Sequence, residues 1–263
     1  MKLLIINASP NKEEGYTHRT TEHLRKAFME RGDHQVEQLF LMDSNLPYCD
    51  GCMGCIKNGI NTCPVREKTA PIEQAIRRAD AIVIGSPVHS FNVSALLKNM
   101  IDLFVTEVHR PSFFGKKVVV VATCAGGGQP PVLKYMRNTL SLWGMDVVGR
   151  LGTAASQFKR PDYVAMVEAK TDQLVDKLIV AVEKAEDPSP AMIDLISFRV
   201  MRTVMEVNRE DVLPDFEYWE ERGWMTADYF TDAPRSWWKN LMSKFIGAVV
   251  RKQVIGGKLK PVG

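Results

Sequence analysis

Four cysteines within a short segment form the most specific chemical pattern in the sequence. They follow the spacing Cys-x2-Cys-x2-Cys-x7-Cys, with Pro64 directly after the last of them: Cys49, Cys52, Cys55 and Cys63. Thiolates are the usual ligands of iron–sulfur clusters, and a closing Cys-Pro is typical of bacterial ferredoxin motifs. The residues leave three interpretations open, namely a [4Fe–4S] cluster, a structural zinc site, or thiols without a metal. A fifth cysteine, Cys124, is predicted to be a small buried residue.

Three polar loops, each directly after an apolar run, are the second feature that could carry chemistry. They span residues 9–17, 86–93 and 123–129. The first has hydroxyl side chains, Gly15 and the start of a helix, and the unpaired N–H groups of a helix N-terminus favour a phosphate. The second offers ring and backbone surfaces to a flat heterocycle, and three successive glycines in the third allow close backbone approach. We interpret the three loops as a mononucleotide site.

Strands and helices must alternate regularly to bring these loops together. Apolar runs predict strands over residues 2–8, 34–41, 81–85, 117–122 and 145–151. Helical spacing predicts helices over residues 18–31, 70–78, 93–105, 131–143 and 162–186. This alternation predicts right-handed βαβ units and a parallel sheet. The fold class is therefore α/β, a flavodoxin-like doubly wound five-stranded parallel sheet, in which ligands bind at the carboxyl ends of strands one and three.

The domain organisation follows from a boundary signal at residues 187–190, Asp-Pro-Ser-Pro. We predict a flavodoxin-like mononucleotide-binding domain over residues 1–187 and a helical C-terminal extension over residues 188–263 for packing, oligomerisation or surface association. No G-x-G-x-x-G motif follows the first strand, which counts against a Rossmann dinucleotide site.

Composition excludes several classes of function. The net charge of +3 is too small to favour nucleic acid as a partner. No apolar run is long enough to span a membrane, and the first residues do not form a signal peptide, so we expect a cytoplasmic protein. The sequence has no Ser-His-Asp triad and no paired carboxylates, and we predict no catalytic side chain of that kind. This pattern favours an enzyme whose chemistry is supplied by a cofactor.

Four motifs together match a known family. They are Ser9-Pro10-Asn11 with Gly15-Tyr16-Thr17, the stretch from Ala79 to His89, the stretch from Leu97 to Asp102, and Ala125-Gly126-Gly127-Gly128. In these motifs, over about residues 1–185, the chain resembles the NAD(P)H-dependent FMN reductases and iron–sulfur flavoproteins. The resemblance implies bound FMN, NAD(P)H as co-substrate, and a homodimer or homotetramer.

The same resemblance assigns FMN-binding residues. Those expected at the phosphate are Ser9, Asn11, Gly15, Tyr16 and Thr17. Those expected at the isoalloxazine and ribityl groups are Pro87, Val88, His89, Ser90, Phe91 and Asn92. Those expected at the ring edge are Thr123, Ala125, Gly126 and Gly127. The chain departs from the family at His89, where Tyr is frequent, and at Ser90, where an aromatic residue is common. Residues 12–14 are an insertion that could shift the phosphate contacts by a position.

We therefore predict an FMN-dependent oxidoreductase that passes hydride or electrons from NAD(P)H to an unidentified acceptor. A quinone, a nitro compound, a free flavin or a protein partner would each be compatible. The alternative is an iron–sulfur flavoprotein that transfers electrons without turning over a small substrate. The resemblance implies a [4Fe–4S] cluster in the iron–sulfur branch, although relatives without a cluster carry a similar cysteine loop. A third class is a protein that uses FMN only as a structural or sensing group.

The C-terminal extension has a different character. The last thirty residues carry seven basic and no acidic side chains. Apolar residues recur there at helical spacing: Trp237, Trp238, Leu241, Met242, Phe245, Ile246, Val249 and Val250. We favour packing of this apolar stripe on its own domain or on a partner subunit. Peripheral contact with an anionic membrane surface is the alternative. Trp219 and Trp224 are predicted to be packing residues.

Overall fold

A computed structural model describes residues 1–255, so Lys258 and Lys260 of the basic tail lie outside the described residues. Its sheet contains the strands β1 (Lys2–Asn7), β2 (Gln35–Phe40), β3 (Ala81–Pro87), β4 (Lys117–Cys124) and β5 (Asp146–Ala154). All four neighbouring pairs are parallel, and the order is β2-β1-β3-β4-β5. The predicted flavodoxin-like sheet is confirmed.

Helices connect these strands and continue beyond the sheet. The first group is α1 (Tyr16–Met29), α2 (Gly54–Lys57), α3 (Arg66–Arg78), α4 (Ala95–Leu103) and α5 (Thr106–His109). The second group is α6 (Gln129–Leu142), α7 (Pro161–Lys184), α8 (Met192–Val207), α9 (Leu213–Glu221) and α10 (Trp237–Ile255). The predicted C-terminal helices are therefore present. No helix within the described residues is both long and apolar enough to cross a membrane.

The chain divides into two compact units. The first consists of Met1–Asp50, Glu67–Val105 and Ser112–Ala185 and contains the whole sheet. The second consists of Gly51–Arg66, Thr106–Pro111 and the chain from Glu186 onwards. Most of the cysteine loop therefore belongs to the same unit as the C-terminal helices.

The core of the first unit is built from the central strands. Every residue of β4 is buried, and β1 and β3 are buried over most of their length. Such continuous burial is expected where helices cover both faces of a parallel sheet. Gly85 in β3 allows α1 to approach closely, because a Cβ atom there would lie 2.8 Å from Thr17 Cγ2. The first turn of α1 is thereby held against the carboxyl ends of the strands.

An aromatic cluster forms the core of the second unit. Trp219 stacks on Phe198, and Trp224 meets Phe230 edge-on. Trp219 and Trp224 are both buried, which confirms that they are packing residues. The same unit contains a fully buried carboxylate, Asp215.

Two basic side chains lie beside Asp215. His109 Nδ1 is 2.7 Å from Oδ2. Arg110 Nε is 3.0 Å from Oδ1, close enough for charge attraction although its N–H is not aligned for a hydrogen bond.

The orientation of α10 differs from the favoured prediction. The helix packs on α8 and buries its small residues Ser243 and Gly247. Its apolar stripe is exposed: Trp237, Trp238, Leu241, Met242, Phe245 and Val249. Packing of these six residues on their own domain is therefore a wrong prediction, although Ile246 and Val250 are half-buried, and packing on a partner subunit stays a prediction. The physical reason is that small residues allow the backbones of two helices to approach, whereas the large apolar side chains would hold them apart.

Candidate functional site

The loop after β1 is tightly folded around Ser9. The Asn11 N–H donates to Ser9 Oγ at 3.2 Å, and Ser9 is buried. Gly15 lies directly beside this hydroxyl, since a Cβ atom on Gly15 would be 2.7 Å from Ser9 Oγ. Gly15 has an ordinary φ of −79°, so this position requires glycine for space and not for backbone conformation.

The N-terminus of α1 opens directly from this loop. Its N-cap residue is Gly15, which provides no side-chain hydrogen bond, and its first turn contains no acidic residue. The first N–H groups of an α-helix have no acceptor within the helix, and the helix dipole adds partial positive charge there. This helix start can therefore bind an anion.

A buried polar group at the end of β1 also lacks a partner. Asn7 Oδ1 accepts the N–H of Ser9 at 2.8 Å. The Asn7 Nδ2 atom is buried and has no hydrogen-bond partner among the described residues. An unsatisfied buried donor costs about 1–3 kcal/mol of folding free energy. Its position at the base of the loop fits a ligand that supplies an acceptor atom.

The loop after β3 forms a strained turn. His89 and Asn92 exchange two backbone hydrogen bonds, each of 2.9 Å. The two residues between them, Ser90 and Phe91, have φ values of +50° and +61°, as in a type I′ turn. A left-handed conformation is unusual for a bulky residue, and such outliers cluster at ligand sites. The turn presents Phe91 to solvent with 76% of its surface exposed.

Hydrogen bonds join the loops at the carboxyl ends of β1, β3 and β4. Ser94 Oγ, at the start of α4, donates to the Ala8 carbonyl at 2.7 Å. The Val88 N–H donates to the Thr123 carbonyl at 2.7 Å. Thr17 Oγ1 and Thr123 Oγ1 form a hydrogen bond of 2.7 Å. The three predicted loops therefore converge on one edge of the sheet.

Gly128 closes the third loop with a φ of +98° and serves as the N-cap of α6. A Cβ atom at Gly128 would lie 3.1 Å from carbon atoms of both Val88 and Phe91. The glycine thus brings the third loop against the strained turn.

The predicted site residues separate into three sets by burial. Four of them are buried and shape the loops: Ser9, Gly15, Thr17 and Thr123. Pro87 and Val88 are half-buried. The remaining residues are exposed and available to a ligand: Asn11, Tyr16, His89, Ser90, Phe91, Asn92, Ala125, Gly126 and Gly127. Thr17 was predicted as a phosphate donor, but its hydroxyl is engaged with Thr123.

Sequence reasoning missed three residues of this site. Ser94 and Asn7 hold the first loop through side-chain hydrogen bonds, and Gly128 supplies the left-handed N-cap. Asn7 could have been predicted, because it is a polar residue at the end of an apolar run. Ser94 was recognisable only as a helix N-cap, because its bond to Ala8 depends on the tertiary fold.

The cysteines do not form a preassembled metal site. Cys49 and Cys52 are exposed, whereas Cys55 and Cys63 are half-buried. Among residues 1–255, no three His, Cys, Asp or Glu side chains converge as a metal site would require. The donor chemistry and the spacing of the four thiols fit a cluster.

Two further contacts describe the environments of the cysteines. Within the second unit, Arg110 donates to the Cys55 carbonyl at 2.5 Å. Cys124, which lies in β4 of the first unit, is buried as predicted, and burial raises the pKa of its thiol.

Comparisons with known proteins agree with this architecture. The model of a family described as NADPH-dependent FMN reductase matches residues 1–159. An iron-sulfur flavoprotein of Archaeoglobus fulgidus is 28% identical over 229 residues, which cover 86% of this chain and 100% of that protein. FMN-dependent NADH:quinone oxidoreductase 8 of Burkholderia lata is 30% identical over 171 residues, which cover 56% of this chain and 80% of that protein.

A solved structure shows the same fold. It is an FMN-dependent NADH-azoreductase from Bacillus anthracis in complex with FMN, with a TM-score of 0.51 and 18% identity. The match covers 67% of this chain and 98% of the azoreductase chain.

Proposed function

Since the chain belongs to the NADPH-dependent FMN reductase family, we propose that it binds FMN at the three converging loops and uses NAD(P)H to reduce it. Its class is that of an FMN-dependent NAD(P)H oxidoreductase. The flavin, when bound, supplies the hydride-accepting chemistry. The protein binds and orients it.

One observation supports this proposal above the others, namely the convergence of an uncapped helix start with two exposed loops. The phosphate of FMN would lie at the N-terminus of α1, beside Gly15. Asn7 Nδ2 would gain an acceptor there, which would satisfy a buried donor that otherwise has none. The turn at His89–Asn92 and the glycines of the third loop would face the ring system. Phe91 offers the large apolar surface that a flat heterocycle needs.

Replacement of Gly15 tests the phosphate position. The new Cβ of Gly15→Ala would meet Ser9 Oγ at 2.7 Å, so Ser9 must shift and the loop must open. Relieving an overpacked contact costs about 1–3 kcal/mol, which corresponds to about a 5- to 150-fold loss of FMN affinity. FMN fluorescence quenching measures the affinity, and circular dichroism of the apoprotein shows whether the variant folds. A folded variant with unchanged affinity would contradict the proposed phosphate position.

We propose a quinone as the electron acceptor. The support is the Burkholderia lata relative, an FMN-dependent NADH:quinone oxidoreductase with 30% identity. The FMN-loaded protein should oxidise NADH or NADPH faster with a soluble benzoquinone than with a nitroarene, an azo dye or free FMN. If NAD(P)H oxidation is faster with one of the other acceptors, the proposal of a quinone is wrong and that acceptor is the better candidate. No turnover with either nicotinamide would contradict the reductase function itself.

A second candidate function is electron transfer through an iron–sulfur cluster. The Cys-x2-Cys-x2-Cys-x7-Cys spacing and the relatives named iron-sulfur flavoproteins support it. The cluster would be held by Cys49, Cys52, Cys55 and Cys63. Iron and acid-labile sulfide should be found after anaerobic purification. Cys52→Ser should remove most of the iron and leave flavin absorbance unchanged, while the matched control Cys124→Ser should retain the iron. Equal iron in both variants would show that the motif is not the ligand set.

The number of subunits and the cellular compartment are further parts of the proposed function. We propose a homodimer or homotetramer in the cytoplasm, on the basis of the family resemblance and the composition. Light scattering of the FMN-loaded protein after size-exclusion chromatography determines the subunit number. A monomer at micromolar concentration would contradict this part of the proposal.

A further inference from the structure

The exposed face of α10 is an apolar feature that the proposed function does not use. Trp237 is 78% exposed, Phe245 is 66% exposed and Leu241 is 59% exposed. With about 100° of rotation per residue, the exposed apolar side chains cover an arc of about 140° on the helix. Large exposed apolar patches on soluble surfaces usually mark an interaction site. This arc is called the α10 stripe below.

The inner face of α10 fixes the stripe in its outward orientation. Arg199 of α8 is buried and donates from Nε to Ser243 Oγ at 3.0 Å. The same guanidinium donates to Asn240 Oδ1 at 2.7 Å. A Cβ atom at Gly247 would lie 3.0 Å from Arg199 Cβ, so only a glycine allows this approach. Turning the stripe inward would break these hydrogen bonds and leave a buried guanidinium without its partners.

Asp228 adds ion pairs to the contact between α8 and the inner face of α10. Its carboxylate pairs with Arg199 at 3.2 Å and with Lys244 at 2.9 Å. Partial burial opposes ionisation, but hydrogen bonds from Lys244, Asn240 and Arg199 hold the pKa of Asp228 well below its ordinary value. The carboxylate is therefore charged at neutral pH and ties α10 to its unit. The stripe is a stable surface of the folded unit.

The charged side chains of α10 itself are all basic. α10 carries Lys239, Lys244, Arg251 and Lys252 and no acidic residue. By helical rotation, Lys239 lies beyond one edge of the stripe, Lys244 and Arg251 lie beyond the other, and Lys252 lies at its C-terminal end. Lys244 pairs with Asp228 at 2.9 Å and Arg251 pairs with Glu206 at 2.6 Å, whereas none of the ion pairs among the described residues includes Lys239 or Lys252. Cations thus border the apolar face on both sides.

A cavity of about 530 Å³ follows the edge formed by Lys244 and Arg251. Its charged lining consists of Arg199, Arg202, Lys244 and Arg251, together with Glu206 and Asp228. The four cations exceed the two carboxylates. An anionic group beside the stripe would therefore meet favourable charge.

We propose that the α10 stripe docks this protein on an anionic phospholipid surface, with the helix in the plane of the interface. Apolar side chains flanked by Lys and Arg are what such a surface binds, and tryptophans are favoured at the boundary between headgroups and acyl chains. A second copy of the chain is disfavoured as the occupant, because α10 against α10 would bring Lys239 and Lys252 of both copies together with no carboxylate from either helix. This inference is independent of the proposed reductase function.

Vesicle binding by the full-length FMN-loaded protein tests the proposal. We expect cosedimentation with vesicles of phosphatidylcholine containing about 30% phosphatidylglycerol, weaker binding to pure phosphatidylcholine, and loss of binding as salt rises to about 0.5 M. Tryptophan fluorescence should shift to shorter wavelength on binding, since Trp237 and Trp238 would leave water. The double variant Leu241→Ser/Phe245→Ser should bind about 100-fold more weakly. Both side chains are exposed, so the thermal midpoint should remain close to that of the wild type.

The matched control is Ile193→Ser, which removes an apolar side chain of α8 that is also exposed. It should bind vesicles as the wild type does. Equal loss of vesicle binding in the control and in the double variant would overturn the assignment to the α10 stripe. Equal binding of the wild type to neutral and anionic vesicles would overturn the proposal that the surface is anionic. If the wild type binds no vesicles and the double variant dissociates an oligomer, a second copy covers the stripe and the proposal is wrong.

Discussion

The Thr17–Thr123 hydrogen bond allows a quantitative test of how the candidate site is held together. The two hydroxyl oxygens lie 2.7 Å apart and join the first turn of α1 to the end of β4. Both residues are buried, with 1% and 3% of their surface exposed. Thr17→Val or Thr123→Val would each leave one buried hydroxyl without its partner. Each single variant should lose about 1–3 kcal/mol of unfolding free energy.

The double variant should lose much less than the sum of the two. Replacing both hydroxyls by methyl groups removes the unsatisfied group together with its partner, and such paired replacement is close to neutral. The expected coupling energy is therefore close to the sum of the two single losses, about 2–6 kcal/mol. Urea unfolding of the apoprotein measures it, because bound FMN would add its own binding energy to the apparent stability. Additive losses in the cycle would refute the reasoning.

A second pair on the same helix provides a control. Thr153 Oγ1 is 3.2 Å from Thr20 Oγ1, but Thr20 also donates to the Tyr16 carbonyl at 2.9 Å. Thr153→Val therefore leaves Thr20 with a partner and should cost less than Thr123→Val. A similar loss at both positions would show that burial of the threonine, and not the shared hydrogen bond, determines the cost.

The same variants determine whether Thr17 also contacts the phosphate. The sequence predicts a direct donor, whereas the structure places the hydroxyl against Thr123. A direct phosphate contact predicts that FMN affinity falls in Thr17→Val by about 1–3 kcal/mol and changes little in Thr123→Val. A positioning role predicts similar losses in both. Fluorescence titration of FMN distinguishes the two outcomes.

Two further predictions concern the second unit. Asp215→Asn should lose about 3–5 kcal/mol of unfolding free energy, because it removes the fully buried carboxylate that pairs with Arg110 and His109 and leaves the half-buried Arg110 guanidinium unpaired; a loss below about 1 kcal/mol in urea unfolding would contradict this. Asp228 has a folded-state pKa below its usual 3.8, so its contribution to stability is complete above about pH 4 and is lost as the pH falls towards the folded pKa. In Asp228→Asn, the thermal midpoint should therefore fall less between pH 7 and pH 2 than it does in the wild type. An unchanged dependence of the midpoint on pH would contradict this.

The strands could be predicted from the sequence because buried parallel strands are continuous apolar runs. The run at residues 117–122 identifies β4, and all of it is buried. The ends of the strands could not be predicted in the same way. β3 continues through Ser86 and Pro87 because Pro87 pairs with Thr123 of β4, and this partner is far away in the chain. Strand ends therefore depend on the neighbouring strand more than on local hydrophobicity.

The positions of the loops were predictable from the same strands, but their internal contacts were not. A glycine in a polar loop indicates backbone freedom, and Gly128 with its φ of +98° fits that expectation. Gly15 does not, since its φ is ordinary and its role is to leave room for Ser9 Oγ. Two glycines of the same site thus serve different physical purposes. Only the packing around each of them distinguishes the two.

Periodicity locates the apolar face of a helix but not the direction in which that face points. The spacing from Trp237 to Val249 predicts a stripe, and the usual inference is that a stripe faces the core. In α10 the opposite face carries Ser243 and Gly247, and a buried arginine of α8 requires both of them. The contacts of Gly247 and of the Ser243 hydroxyl with Arg199 therefore set the orientation of α10, although six large apolar side chains are left exposed. The stripe that the fold turns outward, together with Lys239 and Lys252 beside it, is the basis of the proposed contact with an anionic surface.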